Sequence, residues 1–212
     1  MSGKPADVFL GVIDFFGILV PGIALLVLQG STLADLAAIS VPEAQNWWDW
    51  VPALVAAYVV GHFLLGLGVP LNRLASLVFP ASKDRFFQVV RDDVPLPPNF
   101  PRTRSHVFNA AFSFVRLTSA SALAEVERQA AEYKLFRSLT LVFLLDGLLA
   151  TLAGPHSPRR LLIDAVLTLG AGARFLFLLV WTQRLTFEFF AMLTRRDQPL
   201  FQGRRAVGLT RT

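Results

Sequence analysis

A chain of 212 residues that is 54% hydrophobic and 17% charged, with mean hydropathy +0.53, is too apolar for an ordinary soluble domain, in which about a quarter of the residues are charged. Cysteine is absent, which excludes a disulfide framework, a thiolate metal site and a cysteine nucleophile. The net charge of +5 and a pI of about 10.4 fit a basic membrane protein whose excess lies beside anionic lipid, with nucleic-acid binding as the rival reading of the same charge.

A helix that crosses a bilayer needs about 20 mostly apolar residues. Four stretches come near that: residues 8–28, 51–69, 135–153 and 161–181. The first is longer than the roughly 7–15 residues of a signal-peptide core, and Lys4 is the only basic residue before it, so it is read as a span. The fold class expected is therefore all-α, a polytopic membrane protein with four transmembrane helices and helical cytoplasmic extensions. It divides into a first helix pair with a short outer loop (1–69), a cytoplasmic helical connection (70–134), a second helix pair with its extensions (135–194) and a basic tail (195–212).

Orientation follows from lysine and arginine. Residues 29–50 contain neither, and carry Asp35, Glu43 and Asp49 with Trp47, Trp48 and Trp50 as an interfacial belt. The middle connection holds Arg73, Lys83, Arg85, Arg91, Arg102 and Arg104 among others, and the tail adds Arg195, Arg196, Arg204 and Arg205. This places both termini and the middle connection in the cytoplasm of a cell with an inner membrane. Arg159 and Arg160, between spans three and four, argue the other way and are outnumbered.

The middle connection is too long for a plain loop. "FPASKDRFFQVVRDDV" reads as a short amphipathic helix, and "PLPPNFP" forces an extended turn. "SHVFNAAFSFVRL" is helical again. From Ser121, Leu123, Val126, Ala130 and Tyr133 form one apolar stripe on a helix that runs without a break into span three. That stripe needs a partner, either the amphipathic segment before it or another subunit. Span four continues through "RLTFEFFAML", and the two extensions are positioned to pack together.

Ionisable groups inside an apolar run normally face protein or water, because each costs roughly 2.5–3.5 kcal/mol at the bilayer centre. Five stand out: Asp14, His62, Asp146, Asp164 and Arg174. Asp14 is either buried in span one or an interfacial N-cap of a helix beginning at Phe15. Pro21 cannot donate to the Gly17 carbonyl, and the missing side chain of Gly17 softens the clash with its ring, so Gly17, Pro21 and Gly22 mark a kink or a hinge. In span two Ala53, Ala57 and Gly61 recur every fourth residue, the spacing that lets membrane helices approach closely. His62 is a neighbour-bonded polar group or a proton-sensitive one. Asp146 shares a face with Ala150 and Ala153, and a pair with His62 is open. Asp164 is within reach of Arg159, Arg160 or headgroups. Arg174 snorkels or pairs with Asp14.

No catalytic signature is visible: there is no G-x-S-x-G, no phosphate-binding loop, no H-E-x-x-H and no dinucleotide fingerprint. Three histidines are too scattered for a metal site, so neither a metal nor a cofactor is expected. "RTRSH" around His106 reads as a solvated basic turn rather than a nuclease centre, and the adjacent acids of "RDD" point apart on a helix. A lipid-modifying enzyme would have to use Asp92, Asp93 and His106, whose arrangement meets none of the usual geometric roles.

The combination "DFFGILVPG", "GHFLLG" and "AEYKLFRSL" resembles a loose group of small, mostly uncharacterised prokaryotic four-span membrane proteins. Some of these resemble accessory or effector proteins of antiphage defence, including CRISPR-associated ones. The resemblance covers the first two spans and the start of span three, and implies membrane disruption or a regulated pore. No active-site residue is carried over from it. The expected function is a non-enzymatic, homo-oligomeric inner-membrane protein that forms a pore or perturbs the bilayer. The alternative is a membrane anchor or scaffold that takes a cytoplasmic protein partner through residues 70–134 and the two extensions. Nucleic acid is not an expected partner.

Overall fold

The computed structural model describes residues 15, 17–30, 50–78, 85–91, 93–94, 101–152 and 158–196. Every regular element among them is an α-helix: α1 (Gly17–Gly30), α2 (Trp50–Leu67), α3 (Val69–Val78), α4 (Arg85–Arg91), α5 (Arg104–Thr118), α6 (Ala120–Leu152) and α7 (Pro158–Arg196). Three stretches are long and apolar enough to cross a membrane: Trp50–Ala75, Ala120–Leu152 and Pro158–Thr194. The described part of α1 is apolar but shorter.

The helix boundaries have local causes. Pro70 has no N–H to continue the ladder of α2. The chain instead turns at Gly68, whose N–H donates to the Leu64 carbonyl at 2.9 Å, while the Leu71 N–H donates to the Gly68 carbonyl at 3.0 Å to open α3. Ser119 separates α5 from α6 and serves both. Its N–H donates to the Val115 carbonyl at 2.9 Å, closing α5, and its hydroxyl accepts from the Ala122 N–H at 3.3 Å, opening α6. Pro158 begins α7, where its missing N–H costs nothing. Thr103 caps α5, its hydroxyl accepting from the His106 N–H at 3.4 Å. The His106 ring bonds the Pro101 carbonyl at 2.9 Å and the Thr103 hydroxyl at 3.0 Å, so its contacts are those of a helix cap. Thr103→Ala should lower unfolding stability by about 1 kcal/mol in detergent, read from the thermal midpoint.

The helices form two compact units. The first takes its residues from Met1–Phe79 and Glu127–Val180, the second from Pro80–Val126 and Trp181–Thr212. In the first unit Leu25, Leu64 and Val142 bring α1, α2 and α6 together. Ala75, Phe175 and Leu179, flanked by Leu71, Tyr133 and Phe136, do the same for α3, α6 and α7.

The second unit has its own core. Phe87 and Val90 of α4 meet Val107, Ala111 and Val115 of α5, Ala122 of α6, and Phe187 and Phe190 of α7. The α5 residues recur every fourth position, one buried stripe. Phe187 packs against Phe87 and Phe108 with ring centroids 6.0 and 6.3 Å apart, and Phe114 meets Phe190 edge-on at 5.1 Å. Arg104 Nε donates to Gln183 Oε1 at 2.6 Å. Of the apolar stripe read on α6, Tyr133 packs beside α3 and α7 in the first unit, while the second core takes Ala122, which lies outside that stripe.

Candidate functional site

Three features of the first unit concentrate its polar and small residues. The first is a seam of glycines between α1 and α2. A Cβ added to Gly22 would lie 1.7 Å from the Ala57 carbonyl oxygen, and one added to Gly61 would lie 2.0 Å from the Ile18 carbonyl oxygen. The helices therefore touch backbone to backbone, at a distance only glycine permits, as at close small-residue crossings in membranes. The pairings 22 with 57 and 18 with 61 run in opposite senses, so the two helices are antiparallel. Gly22 is buried in this seam; Pro21 beside it is also buried, and α1 stays helical through Pro21. Gly17 faces α6, where an added Cβ would meet the Ala131 carbonyl oxygen at an ordinary 3.9 Å.

The second feature is Arg137 of α6, only 5% exposed. The turn at Gly68 and Pro70 leaves carbonyls at the end of α2 without their usual donors. Arg137 Nη2 supplies one, to Leu65 O, at 2.9 Å. Its side chain lies across Gly68, where a Cβ would come within 2.7 Å of Nε. A cation at a helix C-terminus also meets the negative end of the helix dipole. Arg137→Met should cost on the order of 1 kcal/mol in detergent unfolding, since the orphaned carbonyl outweighs the relief of removing a buried charge. Gly68→Ala should be harmful in the wild-type background and far less so with Met at position 137, a coupling that a double-mutant cycle measures.

The third feature is a polar cluster. Asp146 is 1% exposed and lies about 9 Å along α6 from its end at Leu152, at 1.5 Å per residue. Its Oδ1 accepts from Gln29 Nε2 of α1 at 2.5 Å and from Arg160 Nη2 of α7 at 3.2 Å. Asp164, one turn beyond Arg160, is 7% exposed, and its Oδ2 is buried without a hydrogen-bond partner. Gly147 makes room for it: a Cβ there would sit 3.5 Å from the Asp164 Cβ. Beside the cluster runs an open groove of about 570 Å³ between α6 and α7, walled by Phe143, Leu148 and Leu169, with Asp164 the only ionisable group among the described residues that line it.

Of the ionisable residues singled out in the sequence, the structure brings Asp146 and Asp164 together. Asp146 takes Gln29 and Arg160 as partners. His62 is exposed on α2 and meets Tyr58 edge-on, ring centroids 4.6 Å apart. Arg174 is exposed on α7, its guanidinium 5.9 Å from the Phe136 ring and 5.6 Å from that of Phe177. Asp14 lies outside the described residues.

Sequence reasoning missed Gln29 and the burial of Arg137. Gln29 stands at the foot of an apolar run, where an amide reads as the start of a loop. Arg137 stands in the sequence as one more positive charge at the edge of an apolar run, a common interfacial position. Among the described residues no group of three or more His, Asp or Glu could hold a metal ion. Comparison with known protein families, curated proteins and solved structures returned no match.

Proposed function

We propose that the chain is a non-enzymatic, four-span inner-membrane protein that works as a scaffold: its membrane helices hold a cytoplasmic helical unit to which a protein partner binds. The observation that carries this reading is the second unit's own closed core, built partly from the ends of α6 and α7, the same helices that supply two of the long apolar stretches. A signal or partner acting on that core has a direct covalent route into the apolar segments. The clamp around Asp146 supports the same reading, since a carboxylate already bound by Gln29 and Arg160 fastens helices together.

The topology behind this reading, with both termini and residues 70–134 on the cytoplasmic side, is tested by thiol labelling. The chain has no cysteine, so single ones can be added. Ser113→Cys, exposed on α5, should label only after cells are permeabilised, and Thr151→Cys, exposed near the end of α6, should label in intact cells. The reverse pattern overturns it.

A second reading, the oligomeric pore or membrane-perturbing effector, is favoured by one observation: His62 and Arg174 are exposed on apolar helices. Ionisable groups at bilayer depth normally face protein or water, and further copies of the chain would supply both. The defence role implied by the sequence resemblance belongs to this reading. Ion flux through liposomes holding the purified protein, lost with His62→Ala or Arg174→Leu, would select it; a tight monomer without flux leaves the scaffold.

A further inference from the structure

We infer that Arg174 anchors the phosphate of an acidic phospholipid, at the end of the first unit where α2 gives way to α3. Its depth follows from the register of three helices. Along α6 and α7, Gly147 faces Asp164, Thr140 faces Gly172 and Phe136 faces Arg174, a steady antiparallel register. Arg137, next to Phe136, reaches Leu65 O and lies across Gly68, so Arg174 stands level with the end of α2. That level is about 24 Å along α7 from Pro158 and about 26 Å along α2 from Trp50, at 1.5 Å per residue. The hydrocarbon core of a bilayer is about 30 Å thick, and Trp50, 61% exposed, is a residue suited to one interface. Arg174 therefore lies near the other interface and not at mid-bilayer.

Charge and contacts select the ligand. Helices α2 and α3, residues 133–145 of α6 and residues 165–180 of α7 contain no acid, and they bring Arg73, Lys134, Arg137 and Arg174. Glu132, the acid just before this part of α6, pairs with Arg128 at 3.3 Å. Arg137 is buried and bonded to Leu65 O. Arg174 is exposed, its guanidinium set against the rings of Phe136 and Phe177, and among the described residues no carboxylate meets it. Ring contacts hold a planar guanidinium without using up its N–H donors, and that fork matches two oxygens of a phosphate. Ile163 and Leu167, both exposed, and Gly170, with open space about it, lie one to three turns before Arg174 on its side of α7. They form a track for an acyl chain. Basic pockets between membrane helices take acidic head groups, which carry a negative charge that a zwitterionic lipid lacks.

This inference rests on the membrane reading of the first unit, and it gives Arg174 a lipid where the pore reading gives it another copy of the chain. It is tested by native mass spectrometry of the full chain in detergent, titrated with phosphatidylglycerol or with phosphatidylcholine of the same acyl chains. Phosphatidylglycerol should be retained at about tenfold lower concentration, the scale of one hydrogen-bonded contact between charged groups. Arg174→Gln should abolish that preference, and Arg159→Gln, exposed at the other end of α7, should keep it. If the glutamine variant does not elute as wild type on size exclusion, Arg174→Lys replaces it, with an intermediate preference expected because the charge stays and the fork is lost. Equal retention of the two lipids, or an undiminished preference in the folded variant, overturns the assignment. So does displacement of the bound lipid by inorganic phosphate, which would make this a plain anion site, or a protein dimer in place of the lipid adduct that is lost with Arg174→Gln. Failure of the membrane reading would show separately, as a chain that stays in solution without detergent.

Discussion

Replacing Phe187 by alanine should cost about 3–5 kcal/mol of stability, the usual loss for a large aromatic taken from a closed core. Phe187 is fully buried, wedged against Phe87 of α4 and Phe108 of α5. It holds the last part of α7 to the short helices of the second unit. The loss should therefore be local in kind as well as large: trypsin should cut sooner at Arg102, Arg104 and Arg116, while circular dichroism in detergent keeps most of its helix signal. Met192, on the same helix and 63% exposed, is the control, and its replacement by alanine should change stability by less than about 0.5 kcal/mol. If Phe187→Ala behaved like Met192→Ala, the second unit would have no core of its own, and the scaffold reading would lose its main support.

Valine at Gly22 or at Gly61 should be nearly as harmful, at about 3 kcal/mol or more, the upper end for overpacking. Overpacking is usually relieved by a side chain changing rotamer. Here the obstacle is the backbone of the facing helix, 1.7 Å from the first added carbon at Gly22 and 2.0 Å at Gly61, so α1 and α2 must separate to admit it. The two substitutions together should cost less than their sum, because either one already opens the seam. Gly66→Ala is the counter-case. Nothing lies within 4 Å of its Cβ, so the gain in helix propensity should leave stability unchanged or slightly raised. Thermal unfolding in detergent with size exclusion ranks all four variants. Equal tolerance at Gly22, Gly61 and Gly66 would mean that α1 and α2 are not in backbone contact.

The contrast among these glycines shows where sequence reasoning reached its limit. The fourfold spacing of Ala53, Ala57 and Gly61 marks a face fit for close approach, and periodicity reveals that much in one dimension. It cannot tell which glycine lies opposite another backbone, since Gly61 and Gly66 differ only in what the neighbouring helix brings to them. The same holds for charge. Asp146 and Asp164 stand out because a carboxylate in an apolar run is costly wherever it points. Gln29 and Arg137 do not, because an amide or an arginine at the end of a run is ordinary until the fold covers it.

Some features follow from the chain alone. The long apolar runs, the helices of the middle connection and the uninterrupted α6 come from local propensity and hydropathy, which act over a few neighbouring residues and need no partner. The tertiary structure decided the rest: that Arg137 closes the end of α2, that Gln29 and Arg160 converge on Asp146, and that the end of α7 shares a core with α4 and α5. Each of these joins residues far apart in the chain. Hydrogen bonds and packing depend on distance in space, and a linear pattern of residue types carries no record of which faces will meet.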